Sequence, residues 1–367
     1  MRAAVIERPG EPIRIEELDL DDPRAREVRV RLQASGVCHS DLHVRDGDWE
    51  RPGPLVLGHE GAGIVDAVGP GVDPSLVGRL VALTWYYPCL RCAACQTGRQ
   101  WACTGSGSIR HRLEDGRTPL RRPDGTEVLP YLAIGTMSEA IVVPASAAIP
   151  MPDGLAPEVA ALIGCCVSTG VGAVIKTATL PPGATIAVWG LGGVGLSVVM
   201  GAVLAGAARI VAVDRVPFKL ERAQRLGATH TVRAGEDPAE TVSLVREAAG
   251  GGPEFAFEAI GLPATIEQAI ASLPPGGTAV LVGLTPFGAR ASFEVFPFVD
   301  GSRRIVGSNY GWAVAATDFP RYAALHRAGR LPIDALIDDR IPLAAGAIED
   351  AFARMRRGEG VRTVIVP

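Results

Sequence analysis

The fold is decided by the stretch Thr185-Ile-Ala-Val-Trp-Gly-Leu-Gly-Gly-Val-Gly195. A β-branched run leads directly into a glycine-rich turn, and an alanine- and valine-rich helix is predicted over residues 194–204. Gly190 permits the tight turn, Gly192 lets the backbone approach a pyrophosphate, and Gly195 allows the helix to pack closely on the strand. This order predicts a dinucleotide site, in which free N–H groups at the helix N-terminus bind phosphates. The alternative is a glycine-rich turn with a purely structural role.

An acidic residue at the expected distance favours the dinucleotide interpretation. Asp214 ends the next apolar run, 19 residues after Gly195. A carboxylate at this position accepts hydrogen bonds from the ribose hydroxyls of NAD and repels the 2′-phosphate of NADP. The neighbouring Arg215 could weaken that discrimination. The pattern therefore predicts NAD over NADP.

On both sides of this stretch the pattern of elements indicates the fold class. After about residue 155, strands predicted at 185–189, 210–213, 254–259 and 279–282 alternate with helices at 194–204, 219–226, 240–249 and 265–273. This alternation is typical of a doubly wound parallel sheet. Earlier period-two runs at 28–32, 63–68, 80–83 and 140–143 indicate a twisted β region, and later segments predict helices at 320–328 and 347–357 and a strand at 363–366. The predicted class is α/β, with the doubly wound sheet inserted into a β-rich domain.

The composition of the 367 residues fits a folded protein of two domains. Apolar residues make up 47% and charged residues 21%, which excludes a disordered or fibrous chain. The net charge of −4 offers no basic excess, so no nucleic-acid partner is expected. The first ten residues are charged and contain a proline, and no long uninterrupted apolar run follows. We therefore expect a soluble, cytoplasmic protein without a membrane partner.

Four of the seven cysteines lie close together, at Cys89, Cys92, Cys95 and Cys103. Four thiolates at this spacing suit a closed tetrahedral zinc site, which leaves no position for a substrate and therefore stabilises a loop. In a reducing compartment clustered cysteines bind metal more often than they form disulfides. The alternatives are a redox dithiol, chance CxxC pairs and an iron–sulfur cluster, although nothing else in the sequence indicates electron transfer.

The remaining cysteines are compatible with a second metal site. Cys38 lies in GVCHSDLH, Cys165 and Cys166 lie in LIGCCVSTG, and His59 lies in LGHE. Two cysteines and one histidine with an open fourth position form a catalytic zinc set. Buried free cysteines are also common core residues. From residue chemistry alone, a second zinc ion and a core role both remain open.

Together these motifs resemble the medium-chain, zinc-dependent alcohol dehydrogenase family. The resemblance covers nearly the whole chain and rests on GVCHSD, LGHEGAGIV, the four clustered cysteines, LIGCCVSTG, GLGGVG, VAVD and GVRTV, in family order. It implies a GroES-like catalytic domain over residues 1–160 and 305–367, with a structural-zinc lobe at about 88–104, and a Rossmann domain over residues 161–304. Substrate would bind between the two. The implied reaction interconverts an alcohol and its aldehyde or ketone, with zinc as Lewis acid and NAD as hydride acceptor.

The resemblance also implies catalytic and metal-binding residues. It selects Cys38, His59 and Cys165 as ligands of a catalytic zinc ion and leaves Cys166 without a role. Ser40 and His43 match the proton relay of the family.

Two carboxylates are expected close to this metal. By the same resemblance, Asp41 would orient His59 and Glu60 would lie behind the metal. The residues that the resemblance assigns to the cofactor are His39, Thr169, Gly190, Gly192, Gly193, Val194, Gly195, Asp214, Arg215, Lys219, Val282 and Arg362.

Alignment by motif places Trp49, Trp85 and Met137 at the walls of the alcohol channel. Only 5% of the chain is aromatic, so rings at this site indicate a medium-size apolar or aromatic alcohol, unless the tryptophans only cap the core. Trp49 also stands where the glutathione-dependent formaldehyde branch carries an acid, which argues against a glutathione adduct but leaves another thiol adduct open. The long polar stretch 104–132 is typical of dimeric relatives and predicts a homodimer, paired through strands near residues 303–310, with a tetramer as the alternative.

Two further functions compete with a simple NAD-dependent alcohol dehydrogenase. One is a nicotinoprotein, which keeps NAD permanently bound and passes electrons to another acceptor. The other is a non-catalytic binding protein that has kept the fold, although the complete set of Cys38, His59 and Cys165 argues against it.

Overall fold

A computed structural model describes all 367 residues, and the chain divides into two compact units. Unit 1 comprises Met1–Cys165, Val314–Gly329 and Ile333–Pro367, and unit 2 comprises Cys166–Ala313 and Arg330–Pro332. One unit is therefore inserted into the sequence of the other. These divisions lie several residues after the predicted limits at 160 and 304.

The strands and helices are numbered in chain order. The strands are β1 (Arg2–Ile6), β2 (Arg14–Glu17), β3 (Asp19–Leu20), β4 (Glu27–Gly36), β5 (Leu55–Val56), β6 (Glu60–Val68), β7 (Leu80–Leu83), β8 (Leu120–Arg121), β9 (Glu127–Pro130), β10 (Ala140–Pro144), β11 (Ala148–Pro150), β12 (Thr185–Trp189), β13 (Arg209–Asp214), β14 (His230–Arg233), β15 (Phe255–Glu258), β16 (Thr278–Leu281), β17 (Arg304–Gly307), β18 (Ile337–Pro342) and β19 (Arg362–Val366). The helices are α1 (His39–Asp46), α2 (Ala93–Gln96), α3 (Pro157–Leu162), α4 (Ser168–Gly172), α5 (Gly193–Ala205), α6 (Pro217–Arg225), α7 (Pro238–Ala248), α8 (Pro263–Ser272), α9 (Val295–Asp300), α10 (Ala315–Arg327) and α11 (Ala345–Arg356).

Unit 1 is built on two sheets. The first has the strand order β2-β1-β5-β9-β8-β3, and the second has the order β11-β7-β6-β4-β19-β18, with β10 also paired to β4. In β4 the alternate residues Val28, Val30 and Leu32 are buried, as expected for a strand with one face on the core. β19 runs antiparallel to the end of β4 and pairs Val364 with Gly36. This pairing brings the last strand beside the segment that leads into Cys38.

Unit 2 contains one six-stranded parallel sheet in the order β14-β13-β12-β15-β16-β17. Counted from β12, this is the order 3-2-1-4-5-6 of a Rossmann fold. The central strands are apolar on both faces because helices cover both, and Ala187, Val211 and Ala256 are fully buried. The predicted doubly wound parallel sheet is confirmed.

Three helices of unit 2 begin two residues before their predicted starts. α6, α7 and α8 start at Pro217, Pro238 and Pro263, whereas the predicted starts were residues 219, 240 and 265. Proline is favoured in the first turn of a helix because its missing N–H has no partner there and its φ angle is already helical. The prolines are therefore helix starts and not part of the preceding loops.

The prediction for α10 was wrong at its N-terminus. The helix was expected to begin at Pro320 but begins at Ala315, with the proline inside it. The Val314 N–H donates to the Asp318 carboxylate at 2.7 Å, which satisfies a backbone donor at the start of the helix. The contact between Val314 and Asp318 thus favours the start of α10 at Ala315, ahead of the proline.

One helical run was not predicted at all. α3 and α4 are joined into the run Pro157–Thr177 by π-helical turns at Ile163–Val167 and Ala173–Thr177. Its length and apolar composition would allow it to cross a membrane, but 89% of the apolar window is buried inside the protein, as in the core helix of a soluble protein. The run is apolar all round and therefore shows no amphipathic period in the sequence.

We expect Gly195→Ala to destabilise unit 2. A Cβ at this position would overlap the carbonyl oxygen of Gly190, and this backbone atom cannot move without distorting the turn. The expected loss is about 1–3 kcal/mol, measured as a lower midpoint of urea unfolding. Gly192→Ala is the matched control, because its Cβ would meet nothing within 4 Å and its φ is −75°. Equal shifts for the two variants would contradict this account of the close packing.

Candidate functional site

Unit 1 contains a buried cluster of four side chains that are typical metal ligands. Ligand atoms of Cys38, His59, Glu60 and Cys165 all lie within 4.8 Å of one another, and all four residues are buried. Cys38 is the residue before α1, His59 directly precedes β6, and Cys165 lies in the π-helical turn after α3. Three segments that are distant in the sequence therefore meet at one point. π-helical turns are frequent at functional sites, and this one carries a predicted ligand.

Strand pairing brings the first two segments together. In the antiparallel pair of β4 and β6, Gly36 is opposite Glu60. A Cβ at Gly36 would overlap the carboxylate of Glu60, so a larger residue at this position would displace that carboxylate. The chain then turns from β4 into α1 and presents the Cys38 thiol to the space beside Glu60.

Asp41 orients the imidazole of His59. The Asp41 Oδ1 atom lies 3.1 Å from His59 Nδ1 and also accepts the Gly58 N–H at 3.0 Å, while Asp41 Oδ2 accepts the Cys38 N–H at 3.3 Å. A carboxylate can only accept, so the Nδ1 atom of His59 carries the proton and Nε2 is the potential metal ligand. The contact expected between Asp41 and His59 is present.

Glu60 and Arg362 form a buried ion pair. Glu60 Oε1 lies 3.1 Å from Arg362 Nη2, and Arg362 Nη1 donates to the Val37 carbonyl at 3.0 Å. Burial raises the pKa of Glu60 to about 7, although the positive charge of Arg362 opposes the rise. Arg362 was expected to contact the cofactor, and in this structure its guanidinium group faces Glu60 and lies 3.8 Å from Cys38 Sγ. The cofactor role of Arg362 stays a prediction.

The electrostatics of the cluster suit a bound cation. A hydrogen bond from Cys165 holds the pKa of the Cys38 thiol well below its usual value, against the effect of burial and with the help of the positive charges of Arg362 and His59. Burial disfavours the charged form of His59, but the charges of Asp41 and Cys38 raise its pKa well above the usual value. The Glu60 carboxylate oxygens are buried and make no hydrogen bond of good geometry. The hydrogen bond with Cys38 and burial raise the pKa of the Cys165 thiol well above its usual value. A bound cation would offset the cost of a buried thiolate, and two cysteines with one imidazole match the ligands of zinc.

The cysteine quartet forms a second cluster. The ligand atoms of Cys89, Cys92, Cys95 and Cys103 also lie within 4.8 Å of one another, and all four cysteines are free. Cys92 Sγ lies 3.9 Å from Cys103 Sγ, close to the edge of about 3.8 Å expected for a tetrahedron of thiolates around zinc. The backbone N–H groups of Cys95 and Thr104 lower the pKa of Cys92 to about 6, although burial opposes this. The quartet therefore fits a closed, structural zinc site.

The predicted relay residues lie on α1. Ser40 is half-buried and His39 is exposed. The His43 ring lies 5.0 Å from that of His39 and stacks on Trp49 at 4.7 Å, with an angle of 24° between the ring planes. His43 Nδ1 also lies 2.7 Å from Asp48 Oδ2. Sequence reasoning did not find Asp48, because nothing in the motif indicates that the chain turns back onto the helix.

Aromatic rings surround the His59 end of the metal cluster. Trp85 lies edge-on to His59 at 6.4 Å, and Tyr131 lies edge-on at 5.6 Å. The contact of Tyr131 with His59 was not predicted. The two residues are 72 positions apart in the sequence, and no motif connects them. Trp49 is 5% exposed, and Met137 is fully buried in the same core cluster as Trp49 and Tyr131. The roles of Trp49, Trp85 and Met137 in substrate binding stay predictions.

Unit 2 holds most of the predicted dinucleotide residues, and the glycine-rich turn and Asp214 lie at the carboxyl ends of β12 and β13. Gly190 has a φ of +88°, which favours glycine, and α5 begins at Gly193, with Val194 and Gly195 in its first turn. Asp214 accepts the Leu191 N–H at 2.8 Å and the Val216 N–H at 3.0 Å, which leaves carboxylate lone pairs for ribose hydroxyls. The remaining predicted residues are Arg215, which is exposed, Lys219, which is half-buried, and Val282 and Thr169, which are buried.

Glu258 is a further buried acid in this region that sequence reasoning missed. It ends β15, the strand next to β12, and accepts the Ile260 N–H at 3.0 Å, the Gly261 N–H at 2.9 Å and the Thr265 hydroxyl at 2.8 Å. Ile260 in turn occupies the space beside Gly190. Glu258 therefore shapes the turn against which the glycine-rich loop lies.

Comparison with known families and proteins identifies relatives of this chain. A family described as the alcohol dehydrogenase GroES-like domain matches residues 24–153, and one described as zinc-binding dehydrogenase matches residues 193–327. The chain is 35% identical to an alcohol dehydrogenase class-3 from Cereibacter sphaeroides and 34% identical to an S-(hydroxymethyl)glutathione dehydrogenase from Paracoccus denitrificans. Each alignment covers 100% of this chain and 99% of the relative.

Two solved structures are also similar over the whole chain. An alcohol dehydrogenase zinc-binding domain protein from Burkholderia ambifaria superposes with a TM-score of 0.93 at 38% identity. A benzyl alcohol dehydrogenase from Acinetobacter calcoaceticus superposes with a TM-score of 0.89 at 30% identity. Each comparison covers 100% of this chain and 98% of the other.

The two clusters predict about two zinc ions per chain in the purified protein, measured by elemental analysis. Cys165→Ser should reduce the zinc content to about one, since a hydroxyl is a poor replacement for a zinc thiolate. Cys103→Ser should also remove about one zinc ion, and it should lower the unfolding temperature more, because a closed site contributes folding energy directly. Cys166→Ser is the matched control and should retain both ions. Loss of zinc from Cys166→Ser with none lost from Cys165→Ser would contradict this ligand assignment.

Proposed function

The chain belongs to the medium-chain, zinc-dependent alcohol dehydrogenase family, and from this we propose that it oxidises medium-size apolar or aromatic alcohols with NAD, or reduces the corresponding aldehydes or ketones. The observation that carries the choice of substrate is the pair of rings, Trp85 and Tyr131, beside the His59 end of the metal cluster. The 30% identity to a benzyl alcohol dehydrogenase supports the same class of alcohol.

Each functional group has a defined task in this proposal. Cys38, His59 and Cys165 would hold the zinc ion. Zinc bound there supplies Lewis-acid polarisation of that oxygen, and bound NAD supplies the hydride acceptor. Asp41 holds the His59 ring by Nδ1, so that Nε2 is the nitrogen that would bind the metal, and Glu60 adds a carboxylate to the same cluster.

The alcohol must also lose a proton, and α1 carries the groups for this. The hydroxyl of Ser40 would accept the proton of the alcohol, and His43 would release a proton to solvent. A bound cofactor would supply a hydroxyl between these two residues. His43 is suited to the last step because its side chain is 13% exposed, enough for water to reach an otherwise packed ring.

Substrate choice can be tested with a panel of alcohols in the zinc-loaded protein, followed by the absorbance of NADH. We expect kcat/KM for benzyl alcohol and for a terpene alcohol to exceed that for ethanol by at least about tenfold, because an apolar ring stabilises its complex by burial against Trp85 and Tyr131. Tyr131→Ala should reduce this preference, while Tyr322→Ala, also a buried tyrosine of unit 1, should leave the preference unchanged. A preference for ethanol would overturn the proposed substrate class.

A thiol adduct of formaldehyde is the second candidate substrate. It is favoured by the 34% identity to an S-(hydroxymethyl)glutathione dehydrogenase. The same panel, extended to formaldehyde with glutathione and with other thiols, decides between the two. NADH formation that depends on both formaldehyde and a thiol would favour this candidate, and formation with benzyl alcohol alone would exclude it.

The choice between NAD and NADP is expected to depend on Asp214. Asp214→Asn removes the charge that repels a 2′-phosphate and weakens the acceptor for ribose hydroxyls. We expect the ratio of kcat/KM for NAD over NADP to fall by about 10- to 100-fold, the size of one charged hydrogen bond. Glu221→Gln, an exposed acid on α6, is the control and should leave the ratio unchanged. An unchanged ratio in Asp214→Asn would remove Asp214 from the ribose site.

We infer further that the protein acts in the cytoplasm as a homodimer. Seven free cysteines support a reducing compartment. β17 is an edge strand of the unit 2 sheet, and on nearby α9 the side chains of Phe296 and Val299 are 81% and 68% exposed. The strand occupies only Arg304–Gly307, and Asn309–Trp312 forms a 3-10 turn, so a shorter segment than residues 303–310 is available for pairing between subunits.

A further inference from the structure

The end of α1 is folded so that an acidic residue returns to the helix. Gly47 follows α1 with a φ of +85°, a conformation that favours glycine and ends the helix. The Trp49 N–H then donates to the His43 carbonyl at 3.3 Å. This tight turn brings Asp48 Oδ2 to 2.7 Å from His43 Nδ1.

The neighbours of His43 fix its ring in both position and rotation. The Trp49 ring stacks on one face of the His43 ring, and the His39 ring packs against it edge to face. Asp48 accepts a hydrogen bond from Nδ1. Two other charged residues at this end of α1 have partners elsewhere: Arg45 donates to Glu349 at 2.8 Å, and Asp46 accepts from Arg356 at 2.9 Å. Asp48 is therefore the carboxylate that acts on His43.

This contact has a definite consequence for the protons of the ring. A carboxylate can only accept a hydrogen bond, so the His43 Nδ1 atom must carry a proton. In the neutral ring the Nε2 atom is then a proton acceptor. A free histidine in water favours the opposite tautomer, with the proton on Nε2. Without Asp48, the neutral ring would present a donor where the relay needs an acceptor.

We propose that Asp48 is a positioning residue that holds His43 in the Nδ1–H tautomer, so that Nε2 is the atom through which the substrate proton leaves. The proposal rests on the proposed function, in which His43 ends the relay. A proton that arrives at Nε2 converts the ring to imidazolium, with both N–H groups donating, and its release from Nε2 to water restores the starting tautomer.

The effect of Asp48 comes from orientation more than from charge. Its side chain is 43% exposed, so water screens its attraction to the imidazolium form. Asp48 lies outside the metal cluster. The histidine of that cluster, His59, is oriented by a different acid, Asp41. Loss of Asp48 should therefore slow proton release and leave metal binding intact.

The direct test measures the tautomer. In zinc-loaded protein carrying ¹⁵N-labelled histidine, long-range ¹H–¹⁵N NMR at about pH 8.5, where an ordinary imidazole is neutral, distinguishes the two forms. His43→Gln identifies the His43 signals. We expect the Nδ1–H pattern in the wild-type protein, a shift toward the Nε2–H pattern in Asp48→Ala, and no change in Glu50→Gln, an exposed acid two residues away. A wild-type Nε2–H pattern, or an unchanged pattern in Asp48→Ala, would overturn the proposal.

Kinetics provide the second measurement. Asp48→Ala should lower kcat for alcohol oxidation by about tenfold, as is typical for the loss of a group that orients a catalytic histidine, with zinc content and the KM for NAD unchanged. The double variant His43→Gln/Asp48→Ala should be no slower than His43→Gln. A further tenfold loss in the double variant would mean that Asp48 acts elsewhere. If the wild-type protein oxidises no alcohol, the proposed function fails, and the NMR result still decides the tautomer.

Discussion

The burial of four ionisable side chains within 4.8 Å of one another is the constraint on which unit 1 depends. Such a group is costly in the protein interior unless its charges are paired. The protein pairs them in two ways: Arg362 lies against Glu60, and the thiol and imidazole groups converge on a point suited to a divalent cation. The sheet that holds β4, β6 and β19 together is therefore also the frame of a metal site.

The two metal clusters illustrate different ways to build such a site. The cysteine quartet spans 15 residues, from Cys89 to Cys103, so its formation depends mainly on local turns. The second cluster joins Cys38, His59 and Cys165, which only strand pairing and a π-helical turn bring together. A local site can assemble before the fold is complete, whereas the second site exists only in the finished fold. This difference in assembly matches the chemistry of the two sites. A structural zinc site only has to hold a loop, whereas a reactive site must place its ligands accurately for the substrate.

The same distinction explains how much could be predicted from the sequence. The strand–turn–helix around Gly190, the acid at Asp214 and the cysteine quartet carry their geometry in short spacings, so the doubly wound sheet and the quartet could be predicted from them. The family could be predicted because these and the other motifs stand in the family's order. The contact of Arg362 with Glu60 depends on β19 lying beside β4, and the contact of Asp48 with His43 depends on one left-handed glycine. The pattern of apolar and polar residues in the sequence indicates neither contact. The early starts of α6, α7 and α8 could have been found, because proline at the first turn is a known preference.

Gly36 shows how far the demands of such a site extend. The residue is not a ligand, yet the carboxylate of Glu60 occupies the space where its side chain would be. A larger residue at this position would displace the Glu60 carboxylate, so selection for activity would act on Gly36 although it binds neither metal nor substrate. The metal cluster thus restricts the evolution of the strand beneath it. An engineer who wishes to exchange the metal must redesign that backbone together with the ligands.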